Sequence, residues 1–136
     1  MTEKEMNNIQ RQIREVLDSV ENAFRQGGGA NQVLPMLYDE DVVVVREGDV
    51  SAVRGMPAFM QAAAAFLDEL GPKPVFFFTL DTPILTCGDL AITLFNVEIR
   101  PDLADAEPTH LRIFAGWKKT ERGWLIAREM VTGGSL

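Results

Sequence analysis

Leu90-Ala91-Ile92-Thr93-Leu94-Phe95-Asn96-Val97-Glu98-Ile99-Arg100 carries two apolar faces at once. Ala91, Thr93, Phe95, Val97 and Ile99 make one parity. Leu90, Ile92 and Leu94 begin the other, which turns polar at Asn96, Glu98 and Arg100. Alternation with a period of two, in β-branched and aromatic residues, predicts a strand. A strand apolar on both faces over most of its length is expected to be covered twice. One cover is the rest of the domain. The other is expected to be a second subunit, giving a homodimer through the outer face of the sheet.

The flanking segments read the same way. Val75 to Leu80 and Ile84 to Thr86 predict one long strand bent near Pro83, which Gly88-Asp89 turns into the central one. After an acidic loop, Pro101 to Pro108, strands follow at Thr109–Lys119 and Trp124–Thr132, joined by Glu121-Arg122-Gly123. Turns this short leave no room for parallel crossovers, so the sheet is expected to be largely antiparallel.

The N-terminal half switches to helical spacing. Thr2-Glu3-Lys4-Glu5 reads as a capping box, and Ile9, Ile13, Val16, Leu17, Val20 and Phe24 form one stripe that Gly27-Gly28-Gly29 ends. Asn31 is positioned to cap a second helix running to about Tyr38. Val42-Val43-Val44-Val45 predicts a strand, and Glu47-Gly48-Asp49 a turn into a short strand from Val50 to Arg54. A third helix, from Met56 to Leu70, stops at Gly71-Pro72. The expected fold class is α+β: three N-terminal helices packed against a curved, largely antiparallel sheet, in one domain over residues 1–136.

Composition narrows the function. A hydrophobic content of 46% supports a real core, and no run approaches the length of a membrane helix. The charged start lacks the apolar run of a signal peptide, which predicts a cytoplasmic protein. A net charge of −7, with scattered basic residues, opposes nucleic-acid binding. A single cysteine and a single histidine leave no internal disulfide and no typical zinc site, so neither metal nor cofactor is expected.

Several segments, in order, resemble the nuclear transport factor 2-like superfamily, which includes ketosteroid isomerase and SnoaL-type cyclases. They are Leu37-Tyr38-Asp39-Glu40-Asp41-Val42, Val53-Arg54-Gly55 and Cys87-Gly88-Asp89-Leu90-Ala91, then Gly116-Trp117-Lys118-Lys119 and Gly123-Trp124-Leu125-Ile126-Ala127. The resemblance implies a cystatin-like cone with a cavity at its open end, and a dimer. It also places the isomerase's general base at Arg46, its tyrosine near Val20 and its donor aspartic acid near Ala115. None of these residues suits its role, so that mechanism is not expected.

The polar residues left on apolar strands are the candidates for a site. Asn96 and Glu98 are expected to lead from the core toward the cavity mouth, with Arg128 on the last strand and Thr132 on the same face. Tyr38 and Trp117 are expected as aromatic walls, and Arg46 points either inward or off its strand end. Glu98 and Arg128 are the catalytic candidates, because a guanidinium beside a carboxylate in an apolar cleft binds an acid or tunes a proton transfer. The plainer alternative is a structural ion pair. His110 is expected to be solvated, Cys87 to be a buried structural thiol, and Phe76-Phe77-Phe78 to be packing. The expected partner is a small hydrophobic or weakly acidic molecule. A cofactor-independent enzyme of the cyclase, dehydratase, isomerase or hydrolase type is the alternative, and a structural oligomerisation module the third.

Overall fold

The computed structural model describes residues 3–136. The capping residue expected at Thr2 lies outside the described residues. Helix α1 (Glu3–Arg25) buries Ile13, Leu17 and Val20 completely. It ends as its glycines dictate: Gly28 N–H donates to the Ala23 carbonyl and Gly27 N–H to that of Phe24. With φ of 85° at Gly27, this is a Schellman turn, which needs a residue free to adopt the left-handed conformation. Helix α2 (Ala30–Leu37) is capped by Gly29 instead of Asn31, and no side chain bonds its first amides. It leads straight into β1 (Tyr38–Arg46), which pairs with the short β2 (Val53–Arg54). Helix α3 (Met56–Asp68) follows with Pro57 in its first turn.

The remaining chain is all strand: β3 (Val75–Thr79), β4 (Leu85–Cys87), β5 (Leu90–Arg100), β6 (Thr109–Thr120) and β7 (Gly123–Gly133). The sheet runs β2-β1-β7-β6-β5-β3, with β4 also on β5, and its ends do not meet. The long bent strand expected before the central one is β3 and β4, which pair with opposite ends of β5.

The sheet is largely antiparallel, as expected. β1 lies parallel to β7, so the sheet as a whole is mixed. Turn lengths constrain only consecutive strands, and these two are separated by all the other strands of the sheet.

The helices fill the concave side. Ala91, Thr93, Phe95, Val97 and Ile99 are all buried there, as their parity predicts. Phe24 stacks on Phe76 at 4.1 Å, tying α1 to β3. The convex side is bare. Val45 and Met130 are in register, then Phe114, then Leu94, which makes an apolar row across four strands.

β7 is irregular in a way that decides the site. Trp117 pairs with Ile126 but Gly116 pairs with Arg128, so Ala127 is an extra residue, a β-bulge. Trp124 and Ile126 face inward before it. After it the inward parity passes to Glu129 and Val131, and Arg128 and Met130 turn outward.

Candidate functional site

A cavity of about 380 Å³ lies between the helices and the concave sheet. Its walls are overwhelmingly apolar: Val20 and Phe24 from α1, Leu37 from α2, Phe59 and Phe66 from α3, and Phe76 from β3. Exposed Glu47 and Gly133 show that the solvent side is at the C-terminal ends of β1 and β7.

A single ionisable carboxyl is buried among these walls. Glu129 is 4% exposed, and the Tyr38 hydroxyl donates to its Oε1 at 2.8 Å. Its neighbours in register are Val44 on β1 and Ala115 on β6, neither of which offers it a bond. Its Oε2 accepts no hydrogen bond among the described residues. Burial disfavours the charged form and pushes the carboxyl up to about 7, with the tyrosine hydrogen bond pulling the other way. The Tyr38 phenol is raised well above its ordinary value, first by burial and then by the charge and hydrogen bond of Glu129. Near neutrality the pair therefore holds a carboxyl that both gives and takes a proton.

The sequence candidates separate. Tyr38 and Arg46 line the cavity, Tyr38 deep within it and Arg46 near solvent, where its Nε donates to Asp49 Oδ2 at 2.8 Å. Asn96 and Glu98 do not line it. Both sit on the convex face of β5, because Val97 between them and Phe95 and Ile99 on either side point inward. Asn96 Oδ1 accepts from the Leu136 amide at 2.8 Å, and Glu98 pairs with Arg100 at 3.1 Å.

Arg128 also faces away. Its guanidinium donates to the carbonyls of Asp41 and Ala127, bracing the bulge that turned it outward. Glu98 and Arg128 therefore do not form the expected pair. Trp117 is in the core and outside the cavity lining, where its Nε1 donates to Thr93 Oγ1 at 2.8 Å. Thr132 reaches the lining, yet its hydroxyl accepts from Arg112 Nε at 2.7 Å.

Of the residues set aside, His110 is half exposed, as expected. Cys87 is exposed rather than buried, because β4 is an edge strand whose odd residues face solvent. Glu129 was not a candidate. Simple alternation from Trp124 and Ile126 places Arg128 inside, and only the bulge brings Glu129 there.

No described protein family matches the sequence, and no curated protein matches it. Solved structures do. A nuclear transport factor 2-like protein with a cystatin-like fold from Novosphingobium aromaticivorans superposes with a TM-score of 0.72 at 16% identity, covering 95% of this chain and 84% of that one. A nuclear transport factor 2 superfamily protein from Salmonella enterica gives 0.72 at 16%, covering 96% and 94%. A ketosteroid isomerase-like protein from Erwinia carotovora gives 0.69 at 16%, covering 99% and 100%. The chain has the nuclear transport factor 2-like, cystatin-like fold. At such identities the likeness is one of architecture, and the site must be argued from its own residues.

Proposed function

We propose that the chain binds a small apolar molecule in the cavity between helices and sheet, with Glu129 and Tyr38 as its polar anchor. The observation that carries this reading is an apolar space of about 380 Å³ with one buried, hydrogen-bonded carboxyl on its wall. Enclosed apolar space with few convergent polar groups is the usual form of a small-molecule site. The anchor differs from the guanidinium–carboxylate pair expected from the sequence. The test is titration with the neutral fluorescent probe phenylnaphthylamine, against wild type and Ala63→Trp. Ala63 lies on the cavity wall, so the indole fills the space. Saturable enhancement in wild type and none in the folded variant supports the reading. Equal signals from both sink it.

A second reading, a cofactor-independent acid–base enzyme, is favoured by the carboxyl pushed up to about 7. A general acid or base works best when its pKa lies near the operating pH. Turnover of a cavity-binding compound that Glu129→Gln abolishes, with binding retained, would mark the enzyme.

The convex row of Val45, Met130, Phe114 and Leu94 supports a homodimer formed through that face. The exposed thiol of Cys87 fits a reducing, cytoplasmic setting.

A further inference from the structure

We propose that the cavity takes an aromatic heterocycle bearing one weakly basic nitrogen of the pyridine kind, with that nitrogen hydrogen-bonded to Glu129 Oε2. This rests on the reading of the cavity as a ligand site and names the ligand's chemistry. Three observations lead to it.

The first is which atom is open. Tyr38 has one O–H, and it is committed to Oε1. Glu129 lines the cavity, is nine-tenths buried and has Oε2 without a protein partner among the described residues. No fully buried side-chain oxygen among the described residues lacks a partner, so Oε2, which takes no bond from the protein, keeps surface open to the cavity, where a ligand atom can replace water.

The second is the charge around it. The cavity-facing residues of α1, α2, α3, β3, β5 and β6 are all apolar. The ionisable groups that share the cavity with Glu129 are Tyr38, at the start of β1, and Arg46 and Glu47 at the solvent side. Arg46 is bound to Asp49, and Glu47 Oε2 accepts from the Gly133 amide at 2.7 Å. An acidic ligand would meet the Glu129 charge with no cation beside it. An aliphatic ammonium would bring several N–H donors to one open acceptor, leaving the others unpaired in apolar surroundings. A ring nitrogen of the pyridine kind asks for a single hydrogen bond. Whether the proton rests on Oε2 or on the nitrogen, the pair carries no net charge into the cavity. A carboxyl lifted by burial matches such a weak base in proton affinity, so the bond is charge-assisted.

The third is shape. Phe24, Phe59, Phe66, Phe76 and Phe78 all contribute to the walls. Flat rings find edge and face contacts there that aliphatic chains do not.

Isoquinoline and naphthalene, the same shape with and without the nitrogen, test this by calorimetric titration at neutral pH. Isoquinoline is expected to bind roughly ten-fold tighter than naphthalene, the worth of one hydrogen bond to an ionisable group. Its bound absorption spectrum is expected to show the shift of a hydrogen-bonded ring nitrogen. Glu129→Met should abolish both the preference and the shift. If that variant does not fold, Glu129→Leu serves, with the same two readouts, since its side chain offers the nitrogen no proton. Equal affinities for the two compounds, or a preference that survives loss of the carboxyl, would overturn the inference while leaving the cavity a ligand site. If neither compound binds and the neutral probe does, only this inference falls. If nothing binds, both fall.

Discussion

Glu129 makes the stability of this protein depend on pH in a direction opposite to most acids. Its carboxyl titrates at about 7 when folded, against an ordinary value of 4.5, so the folded state holds the proton more tightly than the unfolded one. Stability is then greatest below the unfolded value and falls as pH rises through the folded one. Between roughly pH 5 and pH 7 the loss should approach about 3 kcal/mol, and it should level off above that. Denaturant titrations across this range should show the slope, and Glu129→Gln should flatten it. Tyr38→Phe makes the opposite case. The hydroxyl favours the charged carboxylate, so its removal should move the titration of Glu129 above about 7, visible in the infrared carbonyl band of the protonated acid. Tyr38 was legible in the sequence as a wall of the site, but Glu129 was not. A glutamate in an alternating strand reads as a solvent-facing residue unless its parity is known.

At the scale of elements, what was legible is what local chemistry controls. β5 was placed from Leu90 to Arg100 because its alternation is uninterrupted and a Gly-Asp turn fixes its start. The end of α1 was legible because three glycines follow its stripe. Gly27 holds φ of 85°, so Gly27→Ala should cost about 1 kcal/mol through left-handed strain, measurable by urea unfolding. The bulge at Ala127 left no comparable trace. Nothing in Leu125-Ile126-Ala127-Arg128-Glu129 breaks a strand pattern, and the extra residue appears only when β7 is set against β6. Its consequence is large, since it exchanged an arginine for a glutamate on the cavity wall. The mouth assigned to Asn96 and Glu98 failed for a related reason. Polarity at the end of β5 marked the uncovered convex face, not an opening to the cavity.

For the whole molecule, the helical half packed on a curved sheet was legible from the order of its elements and the cone from the resemblance, whereas the parallel β1–β7 pairing joins strands far apart in the chain, which no local signal reports. The convex row offers a prediction at this scale. Phe114 is 46% exposed at its centre, flanked in register by Met130 and Leu94. If two copies meet there, Phe114→Glu should convert a dimer to a monomer in light-scattering chromatography, with helix content unchanged, because Phe114 is exposed on the outward parity between buried Ile113 and Ala115. A wild type that elutes as a monomer would remove the dimer. The in-register row Val44–Glu129–Ala115 has a different consequence. These residues sit side by side on β1, β7 and β6, and Val44 and Glu129 both line the cavity, so an acid at either projects into nearly the same volume. The fold thus offers adjacent mounting points for one functional group. An acid moved from Glu129 to Val44 would still face this cavity. Alignment column by column would score such a move as a loss of the site, although the chemistry had shifted by a single strand.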